Sequence, residues 1–166
     1  LNYIVYENDP YHIQDVYNLF CVADKELACA GKPISTGGIF SAAIAYLGTY
    51  LRKRELSFDF VNSFREEREQ LAAKLSSENI LTIAIITTLY VSVFPIIEII
   101  DFLKKYNRTA KIIVGGPFIA TQVRSLSKPD LNYLFKSLGA DIYVNSSQGE
   151  AALVKIIHSL KDNSSL

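Results

Sequence analysis

Apolar residues follow two different periods along this chain. Some form continuous runs of strand length, and others recur every three or four positions, as in a helix with one buried face. Continuous apolar runs are typical of parallel strands that are covered on both sides. In the second half the predicted strands are Leu81–Thr88, Lys111–Gly116 and Asp141–Asn145, and the predicted helices are Pro95–Tyr106, Pro129–Leu138 and a segment from Gly149 or Glu150 to Lys161.

The first half shows the same alternation with weaker patterns. Leu1–Tyr6 and Ser57–Asn62 are predicted strands, and the charged stretch Arg65–Ser77 is a predicted helix. An irregular segment of about thirty residues follows the first strand, and connections of that length are often functional. Ser35 or Thr36 is the predicted N-cap of the helix that comes next.

Strands and helices thus alternate five times, which predicts an α/β fold. Crossover connections between parallel strands are right-handed, so helices cover both faces of such a sheet. We expect a flavodoxin-like, doubly wound five-stranded parallel sheet in the order 2-1-3-4-5. The 166 residues suit one Rossmann-type domain that spans the whole chain, 1–166.

Composition and charge exclude several classes of protein. Hydrophobic residues make up 49% and charged residues 20%, which indicates a globular chain. Lys and Arg number 17, as do Asp and Glu, so we expect neither a nucleic-acid nor a membrane partner. The apolar segment Ile80–Ile100 has the length of a membrane span. Pro95 and the hydroxyls around Thr87 interrupt it, which favours a buried strand, a loop and a helix.

Cysteine usage and the amino terminus favour a cytoplasmic protein. Cys21 and Cys29 fit neither a disulfide framework nor a C-x-x-C site, and polar residues interrupt any secretory pattern near the start. The chain begins with Leu1 and contains no Met. We therefore expect it to be a piece of a longer protein.

The carboxyl ends of the strands are the expected binding edge, because open parallel sheets bind ligands there. Glycines at Gly115 and Gly116 would admit a ligand close to the backbone, although a tight turn explains them equally well. Hydroxyls after the third strand either bond a cofactor or cap a helix. The predicted cofactor-binding residues are Thr87, Thr88, Ser92, Gly115, Gly116, Pro117, Ser146, Gln148, Gly149 and Glu150.

Neither histidine is a predicted metal ligand. His158 lies beside the apolar stripe of the last predicted helix, and His12 stands alone in the segment after the first strand. The sequence "STGG", 35–38, lacks the Lys of a phosphate-binding loop and does not directly follow a strand. We predict no metal site and no catalytic residue in this chain.

Three motifs together resemble the cobalamin-binding domain of cobalamin-dependent radical SAM enzymes. That family has a Ser/Thr pair after its third strand and a Gly-Gly after its fourth. Here Thr87 stands 28 positions before Gly115. The motifs are "AYLGTYLRKR" (Ala45–Arg54), "IIVGGP" (Ile112–Pro117) and "ADIYVNSSQGE" (Ala140–Glu150).

The resemblance implies a chain that binds cobalamin and presents it to a radical SAM domain in cis, for methyl transfer to an unactivated carbon or a phosphinate. S-adenosylmethionine and a [4Fe-4S] cluster would belong to a downstream domain, because this chain lacks C-x-x-x-C-x-x-C. The D-x-H-x-x-G motif, which the histidine-on variant of this domain carries after its first strand, is also not matched around His12. We therefore expect no protein histidine on cobalt.

Two other functions fit less well, and one alternative stays open. A flavodoxin-type electron carrier needs a phosphate loop after the first strand, and "ENDPYHIQD" does not provide one. A response-regulator receiver needs Asp after the third strand and Lys after the fifth, where Thr87 and Asn145 stand. The open alternative is a ligand-free module of the same fold that serves as an interaction scaffold.

Overall fold

The computed structural model describes residues 3–12, 15, 16, 18, 19, 40–77, 79–146, 149–162 and 164. The chain divides into two compact units, Leu1–Phe40 and Ser41–Leu166. The predicted helix cap at Ser35 or Thr36 and the "STGG" sequence lie outside the described residues, as do Cys21 and Cys29.

The described part of the first unit contains a β-hairpin. Strand β1, Tyr3–Tyr6, pairs antiparallel with strand β2, Asp9–His12. Glu7 and Asn8 connect them with φ angles of 50° and 70°. Positive φ at both central residues is the geometry of the two-residue turns that match the twist of a hairpin. The predicted first strand is therefore present, but its described partner is a neighbouring antiparallel strand.

The second unit is an α/β structure built on three parallel strands. The strands are β3 (Thr82–Ile86), β4 (Lys111–Gly115) and β5 (Ile142–Val144), in the order β3-β4-β5. The helices are α1 (Ala42–Arg52), α2 (Arg68–Ser77), α3 (Phe94–Tyr106), α4 (Pro117–Ser125), α5 (Lys128–Leu138) and α6 (Gly149–Lys161).

Alternation along β4 separates two hydrophobic clusters. Ile112 and Val114 belong to one cluster and Ile113 to the other, and successive side chains of a strand point to opposite faces. The first cluster also contains Leu75, Ile96, Ile119 and Leu138, from α2 to α5. The second contains Leu51, Leu153 and Ile156, from α1 and α6. Helices thus cover both faces of the parallel sheet, which is compatible with a flavodoxin-like fold.

Three details differ from the predicted elements. Ser57–Asn62 forms no strand, because its groups bond to α2 and the residue before it: the Phe60 carbonyl accepts from Lys74, and the Asn62 N–H donates to the Glu67 carboxylate. Helix α4 was not predicted, although Pro117 in its first turn is a common helix start. Helix α1 begins after Ser41, which occupies the N-cap position.

The apolar segment Ile80–Ile100 is divided between β3, a loop and the first half of α3, as the sequence predicts. In the part of the chain that the structure describes, no helix combines the length and the apolar character needed to cross a membrane.

Candidate binding edge of the parallel sheet

The ends of β3 and β4 are joined through a single carbonyl oxygen. Ile86 and Gly115 are the last paired residues of the two strands, and Thr87 follows Ile86 directly. Both the backbone N–H and the side-chain hydroxyl of Thr87 donate to the Gly115 oxygen, each at 2.9 Å. Thr87 is 0% exposed. Its hydroxyl is therefore part of the strand connection rather than of the solvent-facing edge.

Gly116 has a conformation that only glycine adopts readily. Its φ is 113° and its ψ is −170°, and it occupies the N-cap position of α4. A Cβ at this position would lie 2.9 Å from Thr87 Oγ1 and 3.1 Å from the Thr87 nitrogen. Pro117 then starts α4 and is exposed. Backbone strain and steric contact thus each require glycine at position 116.

Gly115 faces the other neighbouring strand. A Cβ there would lie 3.2 Å from the Cβ of Val144, the last residue of β5. Close packing between strand ends therefore accounts for both glycines in this structure. Each of them stays half-buried, so the turn also presents backbone to the edge.

The loop from β3 to α3 carries exposed apolar side chains beside hydroxyls. Thr88 is exposed and Ser92 is half-buried. Leu89 is 85% exposed, Val91 is 84% exposed and Phe94 is 63% exposed. We name Leu89 and Val91 of the loop, together with Phe94 at the first position of α3, the apolar loop. These three residues were not among the predicted site residues. The sequence "LYVSVF", 89–94, contains apolar residues without a helical period before Pro95, and this pattern indicates a loop with apolar side chains.

Tyr90 is the inward-facing residue of the same loop. Its side chain packs against the larger hydrophobic cluster, and burial raises the pKa of its phenol. Its N–H approaches the Thr87 carbonyl at 3.4 Å. Tyr90 therefore holds the loop against the core, and its neighbours Leu89 and Val91 are exposed to solvent.

The third part of the edge follows β5. Asn145 is exposed, and Ser146, Gly149 and Glu150 are half-buried. Gly149 would tolerate a side chain, since a Cβ there would make an ordinary contact of 3.9 Å with Val144. Glu150 lies in the first turn of α6, where a carboxylate favours the helix dipole. Gln148 lies outside the described residues.

Comparisons with known proteins identify no relative of this chain. No protein-family model matches it, and neither curated proteins nor solved structures give a significant match.

The sequence predicts no metal ligand at His12 or at His158, and these two histidines belong to different units of the chain. Among the described residues, no group of three His, Cys, Asp or Glu side chains could hold a metal ion. His158 lies in the last turn of α6, about 13 Å along the helix from Gly149 at 1.5 Å per residue. His12 ends β2, and its side chain lies outside the described part of the structure.

The groups at the carboxyl edge of the sheet are suited to binding a ligand. It combines hydroxyls at Thr88 and Ser92, the backbone of two glycines, and apolar side chains that contact water. A ligand that covers it would need a broad apolar face and a polar rim able to exchange hydrogen bonds with hydroxyls. The carboxylate of Glu150 is the described acidic group that the sequence predicted for this site.

Proposed function

We propose that this chain is a cobalamin-binding domain that presents its cofactor to a radical SAM domain of the same protein, for methyl transfer. A flavodoxin-like sheet of five strands in the order 2-1-3-4-5 and a cytoplasmic location belong to the same proposal. Three parallel strands of that sheet are described, and Ser57–Asn62, the predicted second strand, forms none. The sequence motifs "IIVGGP" and "ADIYVNSSQGE" suggest the family. The observation that carries the proposal is the exposed apolar loop at the carboxyl edge of a parallel sheet.

The described residues fit such a cofactor in part. A corrin ring is large and amphipathic, with apolar faces and an amide rim. Leu89, Val91 and Phe94 offer apolar surface, and the hydroxyls of Thr88 and Ser92 can bond amides. Gly115 and Gly116 would contribute backbone and Pro117 an exposed ring, with Ser146, Gly149 and Glu150 on the side of β5. Gln148 lies outside the described residues and is part of the proposal from the sequence alone. When bound, cobalamin would supply the methyl-carrying function.

A ligand-free scaffold is the second candidate, and one observation favours it. The space in front of both glycines is filled by Thr87 and Val144, and the Thr87 hydroxyl is bonded inside the protein. A sheet edge closed in this way needs no cofactor to complete it. The apolar loop would then contact a protein partner.

Uptake of hydroxocobalamin separates the two candidates. The purified chain is mixed with hydroxocobalamin, desalted and examined by absorbance. A cobalamin-binding domain elutes pink, with a spectrum shifted from that of the free cofactor. A colourless protein contradicts the proposal and favours the scaffold.

The environment of cobalt tests the expectation about histidine. The Co(II) form of the bound cofactor is examined by electron paramagnetic resonance in the wild type and in His12→Ala. We expect the two spectra to be the same, because the sequence around His12 does not match the family's ligand motif. Nitrogen superhyperfine coupling that disappears in the variant would show a histidine on cobalt.

The place in a longer protein is tested on the full-length gene product. The proposal requires C-x-x-x-C-x-x-C in a further domain, with S-adenosylmethionine and a [4Fe-4S] cluster bound there. A gene product without those cysteines contradicts the radical SAM part of the proposal and leaves cobalamin binding to be judged by uptake.

A further inference from the structure

The turns that leave the carboxyl ends of the three parallel strands contain almost no charge. The stretches 80–97 and 112–123 have no Asp, Glu, Lys or Arg, and in 142–154 the one charged residue is Glu150. Each stretch includes the carboxyl end of a strand and the turn that follows it. Glu150 is therefore the formal charge that these turns bring to the binding edge.

Glu150 lies close to the glycine turn. A Cβ on Gly149 would lie 3.9 Å from Val144 Cγ1, and a Cβ on Gly115 would lie 3.2 Å from Val144 Cβ. Glu150 follows Gly149 directly, in the first turn of α6, and is half-buried. In the described part of the chain its carboxylate has no hydrogen bond and no ion pair. The carboxylate is thus free to accept hydrogen bonds from a ligand.

Helix dipoles give the edge a potential of the opposite sign. Helices α3, α4 and α6 follow β3, β4 and β5, and each begins at this edge with a partial charge of about +0.5. Such helix ends attract anions, although Pro95 and Pro117 each remove one N–H donor. With a neutral side chain at position 150 the edge would favour an anionic group. The carboxylate of Glu150 reverses that preference.

We propose that Glu150 is a specificity-determining residue, which accepts a hydrogen bond from an uncharged amide of the ligand and excludes a ligand with an anionic group there. This inference rests on the proposed cobalamin-binding function. The recognised group is then one of the amides at the rim of the corrin ring. A carboxylate in place of that amide has no N–H to donate and repels Glu150.

Two variants test this role. Glu150→Gln removes the charge and keeps the size of the side chain and an oxygen acceptor. Asp162→Asn, at an exposed position directly after α6, loses the same charge about 18 Å along the helix and is the matched control. Each protein is titrated with hydroxocobalamin and with its monocarboxylic acid derivatives, in each of which one rim amide is hydrolysed to a carboxylate. Absorbance measures binding, and urea unfolding measures stability.

We expect the wild type to bind at least one derivative about tenfold more weakly than hydroxocobalamin, the value of one charge-assisted hydrogen bond. Glu150→Gln should bind that derivative and hydroxocobalamin with similar affinity, because the repelling charge is gone. Asp162→Asn should discriminate between them as the wild type does. A role limited to the helix dipole would lower the unfolding free energy of Glu150→Gln and leave the ratio of the two affinities unchanged.

Three results overturn the inference while the proposed function stands, because the wild type still binds hydroxocobalamin in each. The first is equal affinity of the wild type for hydroxocobalamin and for every derivative. The second is discrimination that persists in Glu150→Gln. The third is an equal loss of discrimination in Asp162→Asn, which would assign it to the net charge of the protein. A wild type that takes up no hydroxocobalamin rejects the proposed function, and this inference with it.

Discussion

The carboxylate of Asp141 accepts a hydrogen bond from the backbone N–H of Ile112 at 2.9 Å. This bond lies at the amino ends of β4 and β5, opposite the proposed binding edge. The same carboxylate pairs with the Lys111 ammonium at 3.1 Å. Asp141 thus connects two adjacent strands before their ladder begins, as Thr87 connects β3 and β4 where their ladder ends.

The first prediction concerns Asp141 and pH. Burial raises the pKa of its carboxyl, but the bond from Ile112 and the charge of Lys111 outweigh burial and hold the pKa below its ordinary value of 3.8. A carboxyl whose pKa is lower in the folded chain than in the unfolded chain stabilises the fold. This stabilisation is complete at pH values above the unfolded-state pKa, and it is lost as the pH falls through the folded-state pKa. Asp141→Asn should therefore cost about 1 kcal/mol at pH 7.

The measurement for Asp141→Asn is urea unfolding at several pH values. The difference from the wild type should shrink as the pH falls below 3.8, because the native carboxyl is then protonated as well. Asp101→Asn, at an exposed position of α3, is a control for a general loss of acidic charge. A difference for Asp141→Asn that stays constant from pH 7 to acid would contradict the assignment.

The second prediction separates two of the three glycines, Gly116 and Gly149, that the sequence predicts for one site. Gly116→Ala should lower the free energy of unfolding by about 3 kcal/mol, because it adds both a positive-φ penalty and a contact with Thr87. Gly149→Ala should change it by less than about 0.5 kcal/mol, since the new Cβ meets only an ordinary contact. Chemical denaturation of the ligand-free chain measures both.

A stable Gly116→Ala protein would show that the turn is free to relax away from Thr87. If the large loss is found, reduced cofactor uptake by a Gly116 variant says nothing about ligand contact, because folding fails first. Thr88 and the apolar loop are then the better positions for testing the binding edge.

The third prediction concerns the apolar loop. Leu89→Ser combined with Val91→Ser should leave the unfolding free energy nearly unchanged, because both side chains already contact water in the folded chain. If cobalamin covers them, its affinity should fall about a hundredfold, since burying each of the two side chains contributes roughly 1.5 kcal/mol. Titration with hydroxocobalamin measures the affinity.

Tyr133→Ser is the control for the apolar loop, because Tyr133 is also an exposed large side chain, 76% exposed on α5. It should leave hydroxocobalamin binding unchanged. An equal loss in Tyr133→Ser and in the double variant would indicate a nonspecific effect of surface polarity. Wild-type affinity in the double variant would remove the apolar loop from the site.

The fourth prediction concerns Gly48 in α1 and the ring of Phe58. A Cβ on Gly48 would lie 2.5 Å and 2.6 Å from two carbons of that ring, and Phe58 is 44% exposed. In the wild type the ring must move to admit the new Cβ, so Gly48→Ala should stabilise less than helix propensity alone predicts. In a Phe58→Ala background the same change should stabilise by about 1 kcal/mol, the difference in helix propensity.

A double-mutant cycle of unfolding free energies gives the coupling between Gly48 and Phe58. Gly48→Ala should be more stabilising in the Phe58→Ala background than in the wild type. Equal effects in both would mean that the ring does not limit the helix.

Local periodicity explains how much of the fold could be predicted. β3, β4, β5, α3, α5 and α6 were all predicted to within a few residues, because runs of branched apolar residues and the three-to-four-residue period are properties of neighbouring positions. Helix α4 was missed, since its nine residues directly follow a glycine pair that already indicated a turn. Ser57–Asn62 has the alternation of a strand but forms none.

The sequence by itself determined the α/β class, the parallel strands of the second unit and the glycine pair at the end of β4. Only the tertiary structure decided which threonine is buried, why position 116 requires glycine, and which strand β1 pairs with in the described chain. These outcomes depend on contacts between residues far apart in sequence, such as the 28 positions between Thr87 and Gly115. Local patterns contain no information about such distances.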